Sequence, residues 1–327
     1  MSLDKNVKRF SEGMSLLIVH PKRVFRPIRD IATAVYHSFL DMDIEVESKS
    51  LLTFNDLNKV AASGEYSHIL SINTHDYLEA EKCFYLDPHR NTCLMSYNLE
   101  QTPIREQNST WASMRLNETA AYGSYFDYIV SESECKNKDI ENLGFRLLNL
   151  NLPYHPVLDL GTNPKIEDKE YDLFFIGCGS DRRQDLIKAL QKEGVKMAPA
   201  PMPQSLDPNY KAFMVQKSKL CLNMHFSDME YFEKPRIMYD YFINKGVVIS
   251  EAILWPEEFI NVKHLFMSKY VNMVPTVLAL LSKYNEDILK VGYNAYAHFK
   301  DKYHYSKVVN RFLTELYHSE QKFRRLK

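Results

Sequence analysis

The sequence predicts an α/β protein with two domains, each built as a doubly wound parallel sheet. Short apolar runs alternate with stretches of helical period, and this strand–helix–strand pattern starts twice, near Met14 and again near Asp172. A chain of 327 residues is also longer than a single hydrophobic core usually supports. We therefore expect an N-terminal domain at residues 1–160, a C-terminal domain at residues 161–300, and a final helix at residues 301–327 that packs back on the first domain.

The first domain begins with the apolar run of residues 14–20, which ends before Pro21 and fits a buried strand. Residues 29–40 carry apolar side chains at helical spacing, and residues 43–47 fit a second strand. No glycine fingerprint of the GxGxxG type follows the first strand, so a nicotinamide dinucleotide site is not expected there. Further strands are predicted at the apolar runs of residues 68–72, 92–96, 128–131 and 147–152.

Residues 158–169 contain glycine, proline and charged side chains without an apolar period, which indicates a linker between the domains. The second domain restarts the pattern at residues 172–177, and Ser180 or Asp181 is suited to cap the helix that follows. Residues 274–323 then have a helical apolar period. The later strands of this domain are predicted at residues 195–197, 219–223 and 246–250.

The charges of the chain nearly cancel, with 41 Lys and Arg residues against 42 Asp and Glu residues. This balance argues against a protein that gains its affinity by neutralising many nucleic-acid phosphates. The five cysteines have no metal-ligand spacing and are odd in number, which favours reduced thiols in a cytoplasmic protein. The polar N-terminus does not resemble a signal peptide, and no apolar run approaches the ~20 residues of a membrane span.

The segment of residues 217–251 places polar side chains where predicted parallel strands end and helices begin. Open α/β sheets bind phosphorylated ligands at such positions. His225 is suited to act as an acid or base or to donate to a diphosphate oxygen, and the alternative is a loop histidine satisfied by the backbone. The polar residues of this segment that we select are His225, Glu233, Arg236, Ser250 and Glu251.

Glu233 and Arg236 are three residues apart and share a face if both lie on one helical turn. The glutamate is suited to accept from ribose hydroxyls and the arginine to hold a phosphate, whereas the alternative is a surface ion pair. Glu251, at the end of its strand, is either a functional residue or a helix cap.

A glycine loop follows the first strand of the second domain. Gly177 and Gly179 let the backbone approach a ligand closely, and the N–H groups at the start of the next helix attract an anion. Arg182 is suited to complete a phosphate clamp. The alternative is a tight turn with solvated arginines.

In the first domain, Tyr97, Asn98 and Glu100 follow a predicted strand at the same kind of edge. We interpret them as contacts to an acceptor or to the donor sugar, with a hydrated loop as the alternative. The sequence has no HExxH, CxxC or P-loop motif, and its DxD at residues 41–43 precedes a strand instead of following one. No metal site is therefore expected.

Four segments carry a resemblance to a known family: DLFFIGCGSDRR at 172–183, KSKLCLNMHF at 217–226, the pair Glu233 and Arg236, and NKGVVISE at 244–251. They resemble the C-terminal domain of bacterial group-1-like glycosyltransferases of the GT-B fold, in particular the spore-maturation-type members. SYNLEQ at 96–101 is similar to a segment in the N-terminal domain of the same proteins. The resemblance implies two Rossmann-like domains, with a nucleotide sugar held mainly by the second and an acceptor by the first.

The resemblance also implies roles for single residues. Gly177, Gly179 and Arg182 are expected near the nucleotide diphosphate. His225 and Arg236 are expected to face the phosphates or the donor sugar. Glu251 is expected to face the ribose or the base.

One feature departs from the pattern of this family. Better-known group-1 enzymes have a second glutamate eight residues after the first, in the form E-x7-E. The position eight residues after Glu233 is Tyr241, and Asp240 stands directly before it.

The sequence therefore predicts a metal-independent glycosyltransferase that moves a sugar from a nucleoside diphosphate donor to an unknown acceptor, with no bound cofactor. His225 and Glu233 are expected to be catalytic, and Ser250 is expected on the donor side. The alternatives are a sugar-nucleotide epimerase of the same fold, a non-catalytic nucleotide-sugar-binding or scaffold protein, and a DNA-base glucosyltransferase, against which the charge balance counts. The acceptor class (glycan, small molecule, protein or DNA), the stereochemistry and the oligomeric state stay open.

Overall fold

The computed structural model describes residues 4–22, 26–74, 90–98, 117, 119–132, 142–177, 179–200, 207–225, 234–251 and 259–324. The chain divides into two compact units. The first unit combines Met1–His155 with Tyr303–Lys327, and the second unit is Pro156–Lys302. Each unit has its own parallel sheet.

Within the described residues, six parallel strands form the sheet of the first unit. These strands are β1 (Ser15–Pro21), β2 (Glu45–Leu51), β3 (His68–Ile72), β4 (Cys93–Asn98), β5 (Tyr128–Ser131) and β6 (Leu147–Asn149). Their spatial order is β2-β1-β3-β4-β5-β6. The order reverses between β1 and β3, and sheets of this class bind ligands outside the carboxyl ends of their strands at such a switch point.

The helices of the first half of this unit are α1 (Lys5–Glu12), α2 (Arg26–Leu40) and α3 (Phe54–Ser63). The start of α3 is a capping box, in which the Thr53 side chain accepts from the N–H of Asp56 and the Asp56 carboxylate accepts from the N–H of Thr53. The helix ends at Gly64, whose φ of 68° lies in the left-handed region that favours glycine. Its buried residues Leu57 and Ala61 join the apolar core on the sheet.

In the described part of the second unit, four parallel strands have the order β10-β9-β8-β7. The strands are β7 (Tyr171–Phe175), β8 (Ser218–Asn223), β9 (Val248–Glu251) and β10 (Phe266–Ser268). The helices are α4 (Asp181–Lys192), α5 (Pro208–Lys217), α6 (Met273–Ser282) and α7 (Glu286–Lys302). Met197 forms a parallel bridge to Leu173 on the other side of β7. With this bridge counted, the order of the second sheet also reverses beside its first strand, between β7 and β8.

The last helix, α8 (Tyr305–Arg324), belongs to the first unit. The ring of Phe312 meets the ring of Phe39 on α2 edge-on, with 5.9 Å between the centroids. The Glu315 carboxylate accepts from the backbone N–H of Asn149 on β6 at 3.0 Å. Although α8 has 20 residues, neither it nor any other described helix is long and apolar enough to cross a membrane.

The predicted α/β class with two parallel sheets is confirmed, and the differences are local. The strand predicted at residues 43–47 begins only at Glu45, because Asp43 has a φ of 57° and belongs to the turn after α2. Residues 195–197 contribute one bridge and no strand, since Pro199 follows and proline cannot extend a ladder. The strand β10 was not predicted, because three half-buried residues are too few to give a periodic signal.

Candidate functional site

Polar residues from several strand ends and one helix start come together at the carboxyl edge of the second sheet. Gly177 follows β7, His225 follows β8, and Glu251 is the last residue of β9. The helix α4 begins after Ser180, whose hydroxyl caps it by accepting from the N–H of Arg183 at 3.4 Å. This edge includes the switch point between β7 and β8, where a ligand is expected.

The carboxylate of Glu251 connects three of these elements. Arg182 donates to it in bidentate fashion, through Nη1 to Oε2 at 2.6 Å and through Nη2 to Oε1. The backbone N–H of His225 donates to the same Oε2 at 2.7 Å. Because only 5% of the Glu251 side chain is exposed, this paired charge is shielded from water. Glu251 therefore fixes the start of α4 against the ends of β8 and β9.

Arg182 is also held by an aromatic ring. Its guanidinium carbon lies 3.8 Å from the centre of the Tyr270 ring, and the Tyr270 hydroxyl donates to the carbonyl of Arg182 at 2.8 Å. A cation at this distance from a ring face is attracted to it. The Arg182 side chain is thus fixed by the Glu251 carboxylate and by the Tyr270 ring.

The neighbouring Arg183 turns inward and is 2% exposed. Its Nη2 donates to the carbonyl of Met224 at 2.6 Å, and its Nε donates to the carbonyl of His225 at 3.2 Å. These bonds satisfy the backbone directly after β8, where the sheet ladder ends. Arg183 therefore holds the chain that presents His225.

Gly177 is required at its position because no side chain fits there. A Cβ at residue 177 would lie 2.7 Å from Cζ of Phe175, 3.2 Å from Nη1 of Arg183 and 3.3 Å from Nη2 of Arg236. The two guanidinium carbons lie 5.5 Å and 5.7 Å from the centre of the Phe175 ring. Two cationic groups thus converge on the backbone of Gly177. Gly179 has more space, since a Cβ there would meet only the Gln184 amide nitrogen, at 3.4 Å.

A chain of hydrogen bonds positions Arg236. Its Nη1 donates to Oδ1 of Asn223 at 3.1 Å and to the carbonyl of Met224 at 3.4 Å. The Asn223 amide donates in turn to the hydroxyl of Ser250 at 2.9 Å, and that hydroxyl donates to the carbonyl of Glu251 at 2.8 Å. Both Asn223 and Ser250 are fully buried. Ser250 therefore helps to position the Arg236 guanidinium indirectly, by accepting the hydrogen bond that orients the Asn223 amide.

The edge has an excess of positive charge. Among its described residues, Arg182, Arg183 and Arg236 carry guanidinium groups, whereas the carboxylates are those of the buried Glu251 and of the exposed Asp181 at the start of α4. The N-terminal end of α4 adds the partial positive charge of its N–H groups. Such an arrangement is suited to bind an anion that carries two negative charges, such as a diphosphate.

Tyr241 and Asp240, which stand where the family pattern E-x7-E has its second glutamate, both make contacts that stabilise the fold. The Tyr241 hydroxyl donates to the carbonyl of Leu222 at 3.0 Å and accepts from the N–H of Ile176 at 3.2 Å, so it joins the ends of β7 and β8. Burial raises the pKa of Tyr241 far above its ordinary value, which keeps the hydroxyl protonated as a donor. Asp240 lies in an ion pair with Nζ of Lys211 at 2.5 Å, and both side chains are 6% exposed. The Asp240 carboxylate thus forms a buried ion pair with a lysine of α5.

We expect the Lys211→Met variant to lose about 3–5 kcal/mol of unfolding free energy, because Asp240 keeps a buried charge without its cation. Urea unfolding measures this loss. The matched control is Lys217→Met on the same helix, whose ion pair with Glu170 is more exposed and whose loss should barely change the midpoint. Equal midpoints for the two variants would show that the Lys211–Asp240 pair does not stabilise the fold.

The candidate residues of the first unit lie at the carboxyl end of β4. Tyr97 is fully buried, and its hydroxyl donates to the carbonyl of Leu150 at 2.6 Å. Asn98 is the last residue of β4, but its side chain, like the whole of Glu100 and Glu233, lies outside the described residues. The structure therefore brings together the donor-side candidates and leaves Glu233 and Glu100 without a described position.

A buried polar cluster lies at this same edge of the first sheet. The hydroxyl of Thr74 contacts those of Ser96, at 2.8 Å, and Ser71, at 3.1 Å. Asn73, which stands between two of them, has a φ of 56° and donates its N–H to the carbonyl of Tyr97 at 3.0 Å. Asparagine is one of the few residues other than glycine that adopts this left-handed backbone in ordinary turns, and here the turn places Thr74 beside Ser96.

Solved structures with the same fold identify the architecture. Anabaena HepE in complex with UDP-glucose aligns with a TM-score of 0.57 and 13% identity, over 94% of this chain and 100% of that chain. The lipopolysaccharide outer core galactosyltransferase WaaB aligns with a TM-score of 0.59 and 12% identity, over 92% and 99%. An α1,3-fucosyltransferase with GDP-fucose aligns with a TM-score of 0.53 and 12% identity, over 92% and 90%.

The chain has the GT-B fold. The identities of 12–13% show the fold alone. No protein-family model and no curated protein matches the sequence.

Sequence reasoning about this GT-B chain missed several residues that build the donor-side edge. Asn223 had a detectable signal, because a buried amide at the end of an apolar strand needs a partner. Arg183 is visible in the sequence as one of two adjacent arginines that can neutralise a diphosphate, but the pair does not tell which arginine turns inward. Tyr270 had no signal, since its contact with Arg182 joins positions that are distant in sequence.

Proposed function

We propose that the protein is a glycosyltransferase that uses a nucleoside diphosphate sugar as its donor. The observation that carries the proposal is the convergence of Arg236 and of Arg183, from the first turn of α4, on the backbone of Gly177 at the switch point of the second sheet. Two of the solved structures that share the GT-B fold are described as complexes with UDP-glucose and GDP-fucose. This support concerns the donor, and the acceptor class stays open.

In this proposal the diphosphate binds between the Gly177–Gly179 loop, the N-terminus of α4 and Arg236. The absence of a side chain on Gly177 lets the guanidinium groups of Arg183 and Arg236 lie close to the backbone of this loop. Arg236 supplies the guanidinium for the phosphate, and Asn223 and Ser250 hold it in place. Arg236 is therefore the main cationic side chain that contacts the diphosphate of the nucleotide sugar.

We assign Arg182 and Glu251 a positioning role next to this site. Both oxygens of Glu251 already accept hydrogen bonds, from Arg182 and from the N–H of His225. A ribose hydroxyl therefore reaches Glu251 only in competition with these bonds. The buried pair instead fixes the backbone of His225, and the donor ribose or base lies beside it.

For the reaction, the bond between the anomeric carbon and the diphosphate oxygen breaks, an acceptor atom forms the new bond to that carbon, and the acceptor's proton passes to a catalytic base or to the leaving diphosphate. Arg236 and the N–H groups at the start of α4 stabilise the negative charge that grows on the leaving diphosphate. We propose that His225 contacts the donor sugar or the leaving oxygen, and that Glu233 is the second catalytic group. Tyr97, Asn98 and Glu100 are proposed to lie on the acceptor side.

We predict that transfer requires no divalent metal, because guanidinium groups supply the charge that a bound cation provides in other sites. After treatment with a chelator and its removal, kcat should be the same with and without added Mg²⁺ or Mn²⁺. Loss of turnover that either ion restores would contradict this prediction.

The experiment that tests the proposed function is a donor assay with a panel of nucleotide sugars. Release of a nucleoside diphosphate that depends on an added glycan or small-molecule acceptor supports a transferase. Conversion of the donor into its epimer without an acceptor would identify an epimerase, and donor binding without turnover would identify a binding protein. Transfer only to DNA bases would identify the DNA-base glucosyltransferase.

A further inference from the structure

A second group of chemically reactive side chains lies in the first unit. The ligand atoms of His68, Cys93 and Glu320 all lie within 4.8 Å of one another. Among the described residues, this is the group of three histidine, cysteine or acidic side chains close enough to share one metal ion. His68 and Cys93 are the first residues of β3 and β4, so the group lies at the amino edge of the sheet. Tyr97 and Asn98 lie at the opposite edge.

Sheet register and helix packing bring the three residues together. His68 and Cys93 are direct partners across the parallel pair β3 and β4, and neighbouring strands are about 4.8 Å apart. The helix α8 carries Glu320 to the same place and is fixed there by other contacts, such as the bond from Asn149 to Glu315. The approach of Glu320 is thus a consequence of the fold.

The imidazole of His68 is oriented as in many metal sites. Its Nδ1 lies 2.8 Å from the hydroxyl of Ser67, and that hydroxyl also contacts the backbone N–H and carbonyl of Ser15. Its Nε2 faces Oε1 of Glu320 at 2.8 Å. Metal-binding histidines commonly anchor one ring nitrogen by a hydrogen bond and coordinate with the other. Here Nδ1 is the anchored nitrogen, and Nε2 faces the cluster.

We propose that His68, Cys93 and Glu320 bind a zinc ion, with water in the fourth position. A thiolate, an imidazole and a carboxylate are the ligand types that zinc accepts in tetrahedral sites. Ordinary bond lengths place the ligand atoms of such a site about 3.4–3.6 Å apart. The distance from His68 Nε2 to Glu320 Oε1 is 2.8 Å and must increase slightly to reach this value. Other distances in the cluster, which are at most 4.8 Å, must decrease slightly. Both changes are within the reach of side-chain movements.

The proposed ion joins β3 and β4 to α8, and its role is to hold the C-terminal helix on the first unit. It lies at the amino edge of the sheet, so it takes no part in the transfer reaction. The sequence does not indicate this metal site, because positions 68, 93 and 320 have no metal-ligand spacing. The zinc proposal is independent of the proposed transferase activity.

The test uses the full chain without an affinity tag, stripped of metal and then titrated with Zn²⁺ and with Co²⁺. We expect one ion per chain, a rise in Tm with Zn²⁺, and the near-ultraviolet absorption of a thiolate bound to Co²⁺. Cys93→Ser should lose that absorption, and Glu320→Gln should weaken Zn²⁺ binding at least ~10-fold. The control is His318→Ala, which removes an exposed histidine from the same helix and should leave binding unchanged.

Two results would overturn the proposal. One is the absence of stoichiometric Zn²⁺ binding by the unmodified chain, which would leave a hydrogen bond between His68 and Glu320 beside a half-buried cysteine. The other is Co²⁺ binding without thiolate absorption, which would place the ion elsewhere. Both results come from the unmodified chain, so they do not depend on whether a variant folds.

Discussion

Replacement of His225 by alanine is expected to lower kcat by at least ~100-fold, the lower end for a general acid–base or oxyanion contact. The residue lies two positions after the end of β8 at the carboxyl edge of the second sheet, beside the proposed diphosphate site. Its backbone N–H donates to Glu251, and its carbonyl accepts from Arg183. Because these bonds use the backbone, they survive the substitution, and any fall in Tm should come from the lost packing of the buried imidazole, since His225 is 2% exposed.

A second substitution at this position separates two roles of the imidazole. His225→Gln keeps a hydrogen-bond donor but cannot transfer a proton in the same way. Recovery of most of the activity in this variant would indicate hydrogen bonding to the donor, whereas no recovery would indicate proton transfer. A variant that turns over normally in its folded fraction, but unfolds readily, would make His225 a structural residue.

Replacement of Arg236 by alanine is expected to weaken the binding of a nucleoside diphosphate by about 1.5–3 kcal/mol, the range for a hydrogen bond to a charged group. This corresponds to a rise in Kd of roughly 10- to 150-fold. Arg236 is held against Gly177 by Asn223 and Met224, so its guanidinium is already oriented before the ligand binds. Calorimetry with the best-bound diphosphate measures the change.

Two further variants make the Arg236 experiment specific. Arg236→Lys keeps the positive charge but loses the planar fork, so it should restore only part of the affinity. Arg311→Ala removes an exposed arginine on α8 that pairs with Glu315, and it should leave the Kd unchanged. If Arg236→Ala binds the diphosphate as tightly as the unmodified chain while keeping its fold, Arg236 does not belong to the site.

Periodicity was sufficient to predict the class of the fold. Both sheets begin where the apolar runs near Met14 and Asp172 indicated, because a fully buried parallel strand leaves a continuous apolar run in the sequence. The end of β8 next to His225 was predicted for the same reason. Short or irregular elements such as β10 were not predicted, since a few half-buried residues show no periodic pattern of apolar side chains.

The partners of the site residues were beyond the reach of the sequence. Glu251 was selected as a ligand contact, yet its oxygens accept from Arg182 and from the backbone of His225. Tyr97 was selected as an acceptor contact, yet its hydroxyl binds a carbonyl after β6. Such pairs join positions far apart in the chain, and spacing along a sequence carries no information about them. Their roles toward ligands stay predictions.

Calorimetric titration of the chain with a panel of nucleoside diphosphates and the matching monophosphates tests directly whether a donor site lies at the carboxyl edge of the second sheet. In our proposal, the guanidinium groups beside Gly177 bind two adjacent phosphates. We therefore expect at least one diphosphate to bind at least ~10-fold more tightly than its monophosphate, the effect of one charge-assisted contact. No binding of any diphosphate, or equal affinity for the two forms of each nucleotide, would contradict a donor site at this edge.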